Sequence, residues 1–137
     1  MREAFARRGN GHGFVVTTFQ KTLSPDLELL APFRHLLSSW LRQVGVAEPP
    51  RSALVLATHE AVANAIEHAR TSAPIEVRAR ISAATVAVEV KDHGSWRERP
   101  SVNEERGRGL ELIEGLVSAV KIETEESGTT LRLLQQI

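Results

Sequence analysis

Glu60, Asn64 and His68 recur every four residues in THEAVANAIEHA, residues 58–69, among alanines, valine and isoleucine. At about 100° per residue, this spacing gathers Glu60, Asn64, Glu67 and His68 onto roughly a quarter to a third of a helix's circumference. A carboxylate and an amide one turn apart can orient a hydroxyl and give an oxygen to a hard cation. The wet face of an amphipathic helix carries the same residue types, and the helical wheel alone leaves both readings open. Asn64 weighs toward a site, because asparagine competes with backbone hydrogen bonds in mid-helix. The alanines beside it, Ala61, Ala63 and Ala65, leave open space of the kind a helix lining a cleft would have.

Three further features can do chemistry. In VAVEVKD the period of two puts Asp92 on the same sheet face as Val86, Val88 and Val90, and a carboxylate facing an apolar layer is costly unless something satisfies it. Asp92 with Gly94 is either a simple turn or a ligand-binding pair in which the glycine lets a flat group approach the backbone. GRGL, residues 107–110, is a glycine-rich turn into a helix, where exposed N–H groups at the positive end of the dipole can seat a phosphate. It lacks the lysine and hydroxyl residue of a Walker A loop, and such glycine pairs are common. SGTT, residues 127–130, reads as a hairpin turn. Zinc is not indicated: HEAVA has alanine at 63 where a metalloprotease helix has its second histidine, and His59 points roughly 180° away from His68.

The elements that must position these residues follow from the patterning. Residues 1–13, closing on GNGHG, read as a flexible arm, and FVVTTFQKTL (14–23) reads as a strand. A helix then opens with Ser24 as N-cap and Pro25 in its first turn, possesses apolar residues at 27, 30, 33, 36, 37, 40 and 41, and stops at Gly45; Pro32 can reset it by a turn. A second helix begins near Pro50 and ends before Ser72, with Val55, Val62, Ile66 and Ala69 as its apolar side. IEVRARI and TVAVEVKD alternate as a hairpin joined by two small residues. A polar loop (95–106), a glycine-flanked helix start and a closing hairpin complete the order β, α, α, β, β, loop, α, β, β. The expected fold is α+β: a two-layer sandwich, with a mixed, mainly antiparallel sheet covered by helices on one face. Residues 14–137 form one domain.

Composition sets the bounds. At 137 residues, 42% hydrophobic and 25% charged, the chain suits one globular domain with a real core. Seventeen basic and seventeen acidic residues cancel, so no overall field favours direct nucleic-acid or membrane binding. Without cysteine there is no disulfide, thiolate metal site or thiol catalysis, which fits a cytoplasmic location. The first 13 residues hold no apolar signal core and no run of about 18 apolar residues occurs, so neither a standard secretion signal nor a membrane span is expected.

Taken in order, these features resemble the four sequence boxes of the GHKL ATPases, the superfamily of gyrase B subunits, histidine kinases and mismatch-repair ATPases. EAVANAIEH resembles the N box, DHGSW the first glycine box, GRGLELI the second and GTTLRL the third, across about residues 14–135. The small size and the forms of these boxes are most similar to the bacterial anti-sigma-factor serine/threonine kinases. His93 and Trp96 stand at positions that vary in the family.

The resemblance implies an ATP site using Mg²⁺. Asn64 would ligate the Mg²⁺, Glu60 would orient or deprotonate the attacking hydroxyl, and Asp92 would accept the adenine amino group, with Gly94 beneath the base. The N–H groups of Gly107, Arg108, Gly109 and Leu110 would hold phosphates. Thr129 or Thr130 would support Asp92 and the adenine, His68 would take a structural or outer role, and residues 95–106 would be the ATP lid. The implied function is an ATP-dependent serine/threonine kinase that binds a sigma factor and phosphorylates a small antagonist (anti-anti-sigma) protein, as a homodimer joined through its first strand and first helix. The rivals are an ATP-binding regulatory module that does not phosphorylate, and an ATPase using water as acceptor.

Overall fold

The computed structural model describes residues 2–3, 7–9, 12–14, 17–69, 71–94 and 104–137, with the backbone alone at 2–14, 69 and 104–108. In chain order the elements are β1 (Arg2–Glu3), β2 (Arg7–Gly9), β3 (His12–Phe14), β4 (Thr18–Leu23), a 3-10 turn (Leu27–Leu29), α1 (Leu30–Gln43), α2 (Pro50–Ala69), β5 (Ile75–Ser82), β6 (Thr85–Asp92), α3 (Glu104–Leu116), β7 (Ala119–Glu125) and β8 (Gly128–Gln136). The main sheet has the order β1-β4-β5-β6-β8-β7. The α+β sandwich with helices on one face is as expected. Every described pairing is antiparallel, in keeping with the expected mainly antiparallel sheet.

Strand alternation builds the inner face. Val77 pairs with Val90, Ala79 with Val88 and Ile81 with Val86, and the valines of β6 are buried. Val88 in turn lies opposite Leu133 of β8, so the apolar row crosses three strands. The outer face carries charge: Glu89 sits between Arg78 and Arg132 and accepts from Arg132 Nε at 2.9 Å and Nη2 at 2.6 Å. That pair is about a third exposed and contributes at most about 1 kcal/mol.

Helix α1 covers the β4 side. Phe19 of β4 packs its ring against Phe33 and Trp40 of α1 at centroid distances of 6.3 and 5.7 Å, and Leu37 and Leu41 are fully buried. The expected Ser24 cap is corrected: Asp26 caps the 3-10 turn by accepting from Glu28 N at 2.9 Å, and α1 proper starts at Leu30. Pro32 then falls in the first turn, where its missing N–H would have had no helical partner. Gly45, at a φ of +92°, ends this segment as expected.

Helix α2 is the centre of the helical layer, touching α1, α3 and strands β5, β6 and β8. Its buried side is Leu54, Ala57, Thr58, Ala61, Val62 and Ala65, whereas Val55 and Ile66 of the expected apolar side are half-buried. Burial follows the alanines because small side chains let the sheet and α3 come close. No described helix is long and apolar enough to cross a membrane.

Among the described residues before β4, three short strands occur where no regular element was expected. β1 pairs with β4, and β2 pairs with β3 in a hairpin in which Gly9 faces His12. The sequence between those two is Asn-Gly, the dipeptide most favoured in two-residue hairpin loops.

Candidate functional site

The carboxylate of Asp92 is 4% exposed at the end of β6, on the inner face as the alternation predicts. Its Oδ1 accepts from Gly94 N at 3.0 Å and, at a longer 3.4 Å, from Thr129 N. Gly94 is buried beside it. This turn is built against β8, where Gly128 has a φ of +148° and a Cβ added to it would collide with the Asp92 carbonyl oxygen. Gly128, read from sequence as a turn residue, is therefore a strand residue whose missing side chain lets β8 meet β6; the two-residue turn is Glu126–Ser127.

Asp92 opens into a small cavity of about 30 Å³ between α2, α3 and the sheet. Its polar lining is Asn64, Asp92 and Thr129, and its apolar lining is Ala61, Ala65, Val90, Leu110, Ile122 and Leu131. Thr129 is 5% exposed and its Oγ1 is buried without a hydrogen-bond partner among the described residues. An orphan hydroxyl beside a buried carboxylate is a site with hydrogen-bonding capacity left over, since buried polar groups ordinarily find partners. Thr130 is brought elsewhere: it pairs with Lys91 and Glu123 on the outer face, so the sheet separates it from Asp92. Of the two threonines, Thr129 alone faces the cavity.

Helix α3 closes the cavity from the other side. α2 leads into β5, whose Glu76 pairs with Lys91 beside Asp92, whereas α3 leads into β7, whose Ala119 lies opposite Leu134 and hence level with Ala87 near the far end of β6. The two helices therefore run antiparallel. Gly109 lies directly on Asn64: a methyl group at Gly109 would come within 2.7 Å of Asn64 Nδ2. A cavity of this size matches about one water's share of liquid, well below the several hundred Å³ of an ordinary small-molecule pocket.

The second glycine box departs from expectation. The helix begins at Glu104, so Arg108, Gly109 and Leu110 lie beyond its first four N–H groups, the only ones left without intrahelical partners. Gly107, at the fourth helical position, also lies beyond them. Internal glycines weaken a helix without stopping it. Residues 95–103 of the expected lid, Trp96 included, lie outside the described residues, as do the side chains of 104–108.

Glu60 is half-buried one turn before Asn64 and does not line the cavity; His68, also half-buried, does not line it either. His59 faces away from this wall: its Nδ1 lies 3.0 Å from Arg34 Nη1 of α1. Burial first, and then the Arg34 charge, hold its pKa below the usual histidine value, while Glu60 pulls it upward. No cluster of acidic and histidine side chains suited to a metal occurs among the described residues. Sequence reasoning missed Ile122 and Leu131 as lining. The register sets them opposite each other on the inner face, yet Ile122 sits in the charged run KIETE, where alternation carries little signal.

Residues 23–134 match the family described as Histidine kinase-like ATPase domain. Among solved structures, the chain is similar to the RsbU and RsbW domains of Rv1364c from Mycobacterium tuberculosis, with a TM-score of 0.75 and 27% identity over 91% of this chain and 34% of that one. It thus spans about a third of that protein chain. It is also similar to the SiaB-SiaC complex from Pseudomonas aeruginosa (TM-score 0.62, 13% identity, 85% of this chain and 88% of that one). A third likeness is to the histidine kinase domain of a blue-light activated histidine kinase from Erythrobacter litoralis EL346 (TM-score 0.53, 14% identity, 78% of this chain and 60% of that one). At these identities the last two speak to fold alone.

Proposed function

The chain belongs to the Histidine kinase-like ATPase domain family, and we propose on that premise that it binds ATP with Mg²⁺ in the cleft between α2, α3 and the sheet and transfers phosphate to a serine or threonine of a partner protein. The observation that carries the reading is the buried Asp92 carboxylate next to the orphan Thr129 hydroxyl, on an otherwise apolar face. An adenine ring offers apolar surface to the lining and an amino donor to the carboxylate, and it brings polar atoms within reach of the Thr129 hydroxyl. The donor set suits the nucleotide: Asp92 would hold the base, Thr129 would complete its hydrogen bonds, and Gly94 and Ile122 would flank it.

Asn64 supplies an amide oxygen of the kind a hard cation accepts alongside phosphate oxygens and water. The Mg²⁺ would contribute charge neutralisation at the phosphates. Glu60, one turn away, would orient the acceptor hydroxyl and take up its proton.

The finer reading is an anti-sigma-factor kinase acting in the cytoplasm as a homodimer, with a sigma factor as one partner and a small antagonist protein as phosphoryl acceptor. Its support is the four boxes in order and the retained Glu60. Incubation with Mg-ATP and candidate antagonist proteins tests it. Phosphoserine or phosphothreonine that forms with the wild type and is lost in Glu60→Gln is the expected result. Tight ATP binding without transfer to any acceptor would leave a binding module, and phosphate release without an acceptor protein would leave an ATPase.

A further inference from the structure

Strand β6 loses its neighbours directly after Asp92. On the β5 side the register ends at Glu76 opposite Lys91. Continued, the register would set Ile75 against Asp92 and then Pro74 against His93, and proline has no N–H to offer a ladder. On the β8 side Asp92 opposite Thr129 is the last pair, and Gly128 approaches so closely that a Cβ on it would stand 2.9 Å from the His93 Cα. Among backbone pairings of the described residues, β8 therefore holds residues 92–93 on one side and β5 has none with them on the other.

A side chain fills that role. His93 follows an inward-facing residue, so it projects to the outer face, where its Nε2 lies 3.0 Å from Glu76 Oε2 of β5. Both side chains are a third exposed. The contact stands on the opposite side of the sheet from the cavity, and the main chain it tethers carries the Asp92 carboxylate and the Gly94 N–H that orients it.

Resting on the nucleotide reading above, we infer that His93, held by Glu76, is a positioning residue that sets where the Asp92 carboxylate stands and thereby how strongly the site prefers adenine to guanine. Adenine presents an amino donor at the position where guanine presents a carbonyl acceptor. A carboxylate fixed in place accepts from the first and repels the second. If the turn is free to shift toward β5, water can mediate the contact and the penalty on guanine shrinks.

The test measures ATP and GTP affinities by calorimetry for the wild type, His93→Ala, Glu76→Ala, the double variant and His93→Gln, with thermal melting in parallel. Each single alanine variant is expected to weaken ATP by up to about five-fold, the scale of one part-exposed side-chain hydrogen bond, and to lower the ATP-to-GTP ratio. The double variant is expected to be no worse than either single one, because both remove the same contact. His93→Gln, which keeps a donor toward Glu76, should recover the ratio. A purely structural role would lower the melting temperature and leave the ratio unchanged, which overturns the inference, as does additivity in the double variant. If ATP binds and Asp92→Asn weakens it while the ratio is the same in every His93 and Glu76 variant, the inference alone fails. If the wild type binds no adenine nucleotide, or Asp92→Asn binds it as well as the wild type, the nucleotide reading fails and the inference with it.

Discussion

Asp92→Asn exchanges one carboxylate oxygen for an NH₂ group of nearly the same size on a residue that is 4% exposed, so the packing around it changes little. The asparagine oxygen can keep the bonds that Oδ1 now accepts from Gly94 N at 3.0 Å and Thr129 N at 3.4 Å. The new NH₂ then stands where the other carboxylate oxygen stood, and the adenine amino group meets a donor instead of an acceptor. A hydrogen bond to a charged group is worth about 1.5–3 kcal/mol, which at about 1.4 kcal/mol per decade is roughly a 10- to 150-fold loss of ATP affinity. Calorimetric titration with Mg-ATP reads this directly, and repeating it with ADP shows whether the loss follows the base and not the terminal phosphate. Melting should shift little, since the local hydrogen bonds persist. An ATP affinity within two-fold of the wild type, in a protein that melts normally, would refute the placement of adenine at Asp92.

Two of the three glycines within α3, Gly109 and Gly115, should respond differently to alanine. At Gly109 the methyl meets Asn64 Nδ2 at 2.7 Å, the movable end of a side chain, so displacing that amide offsets part of the helix-propensity gain of about 1 kcal/mol and the alanine variant gains less stability than the one at Gly115. At Gly115 nothing lies within 4 Å, so the propensity gain of about 0.5–1 kcal/mol appears as a rise in denaturant midpoint; a fall would show that α3 is packed otherwise. Thr58 is fully buried and its Oγ1 has no partner among the described residues, so Thr58→Val should stabilise by about 1 kcal/mol in urea titration. His59 has its folded pKa depressed by burial and by Arg34, so below the unfolded value of 6.5 the unfolded chain takes up the proton more readily. Stability should therefore fall as pH drops from about 6.5 through the lowered folded pKa, and His59→Gln should flatten that part of a melting-temperature profile.

Where a segment's own pattern decides its state, the sequence was readable. Alternation placed β5 and β6 and turned Asp92 inward, and the proline at position 50 marked the start of α2. Some signals were present but misjudged: Asn10-Gly11 announces the hairpin between β2 and β3, and Asp26 is as good a cap as Ser24. Others had no local signal. The lining residue Ile122 lies in a charged strand whose inward side is set by its partner, Leu131. Gly128 looks like any turn glycine until Asp92 arrives against it from another strand.

By itself the sequence determined the order of elements from β4 onward, the polar stripe of α2 and the inward carboxylate, because helical and strand periods are properties of a few consecutive residues. Only the tertiary structure decided that Thr129 and not Thr130 shares the cavity with Asp92, that the alanine side of α2 is the buried one, and that Gly109 rests on Asn64. Those outcomes depend on strand register and on how closely a second helix approaches, and both are set by contacts between residues far apart in the chain.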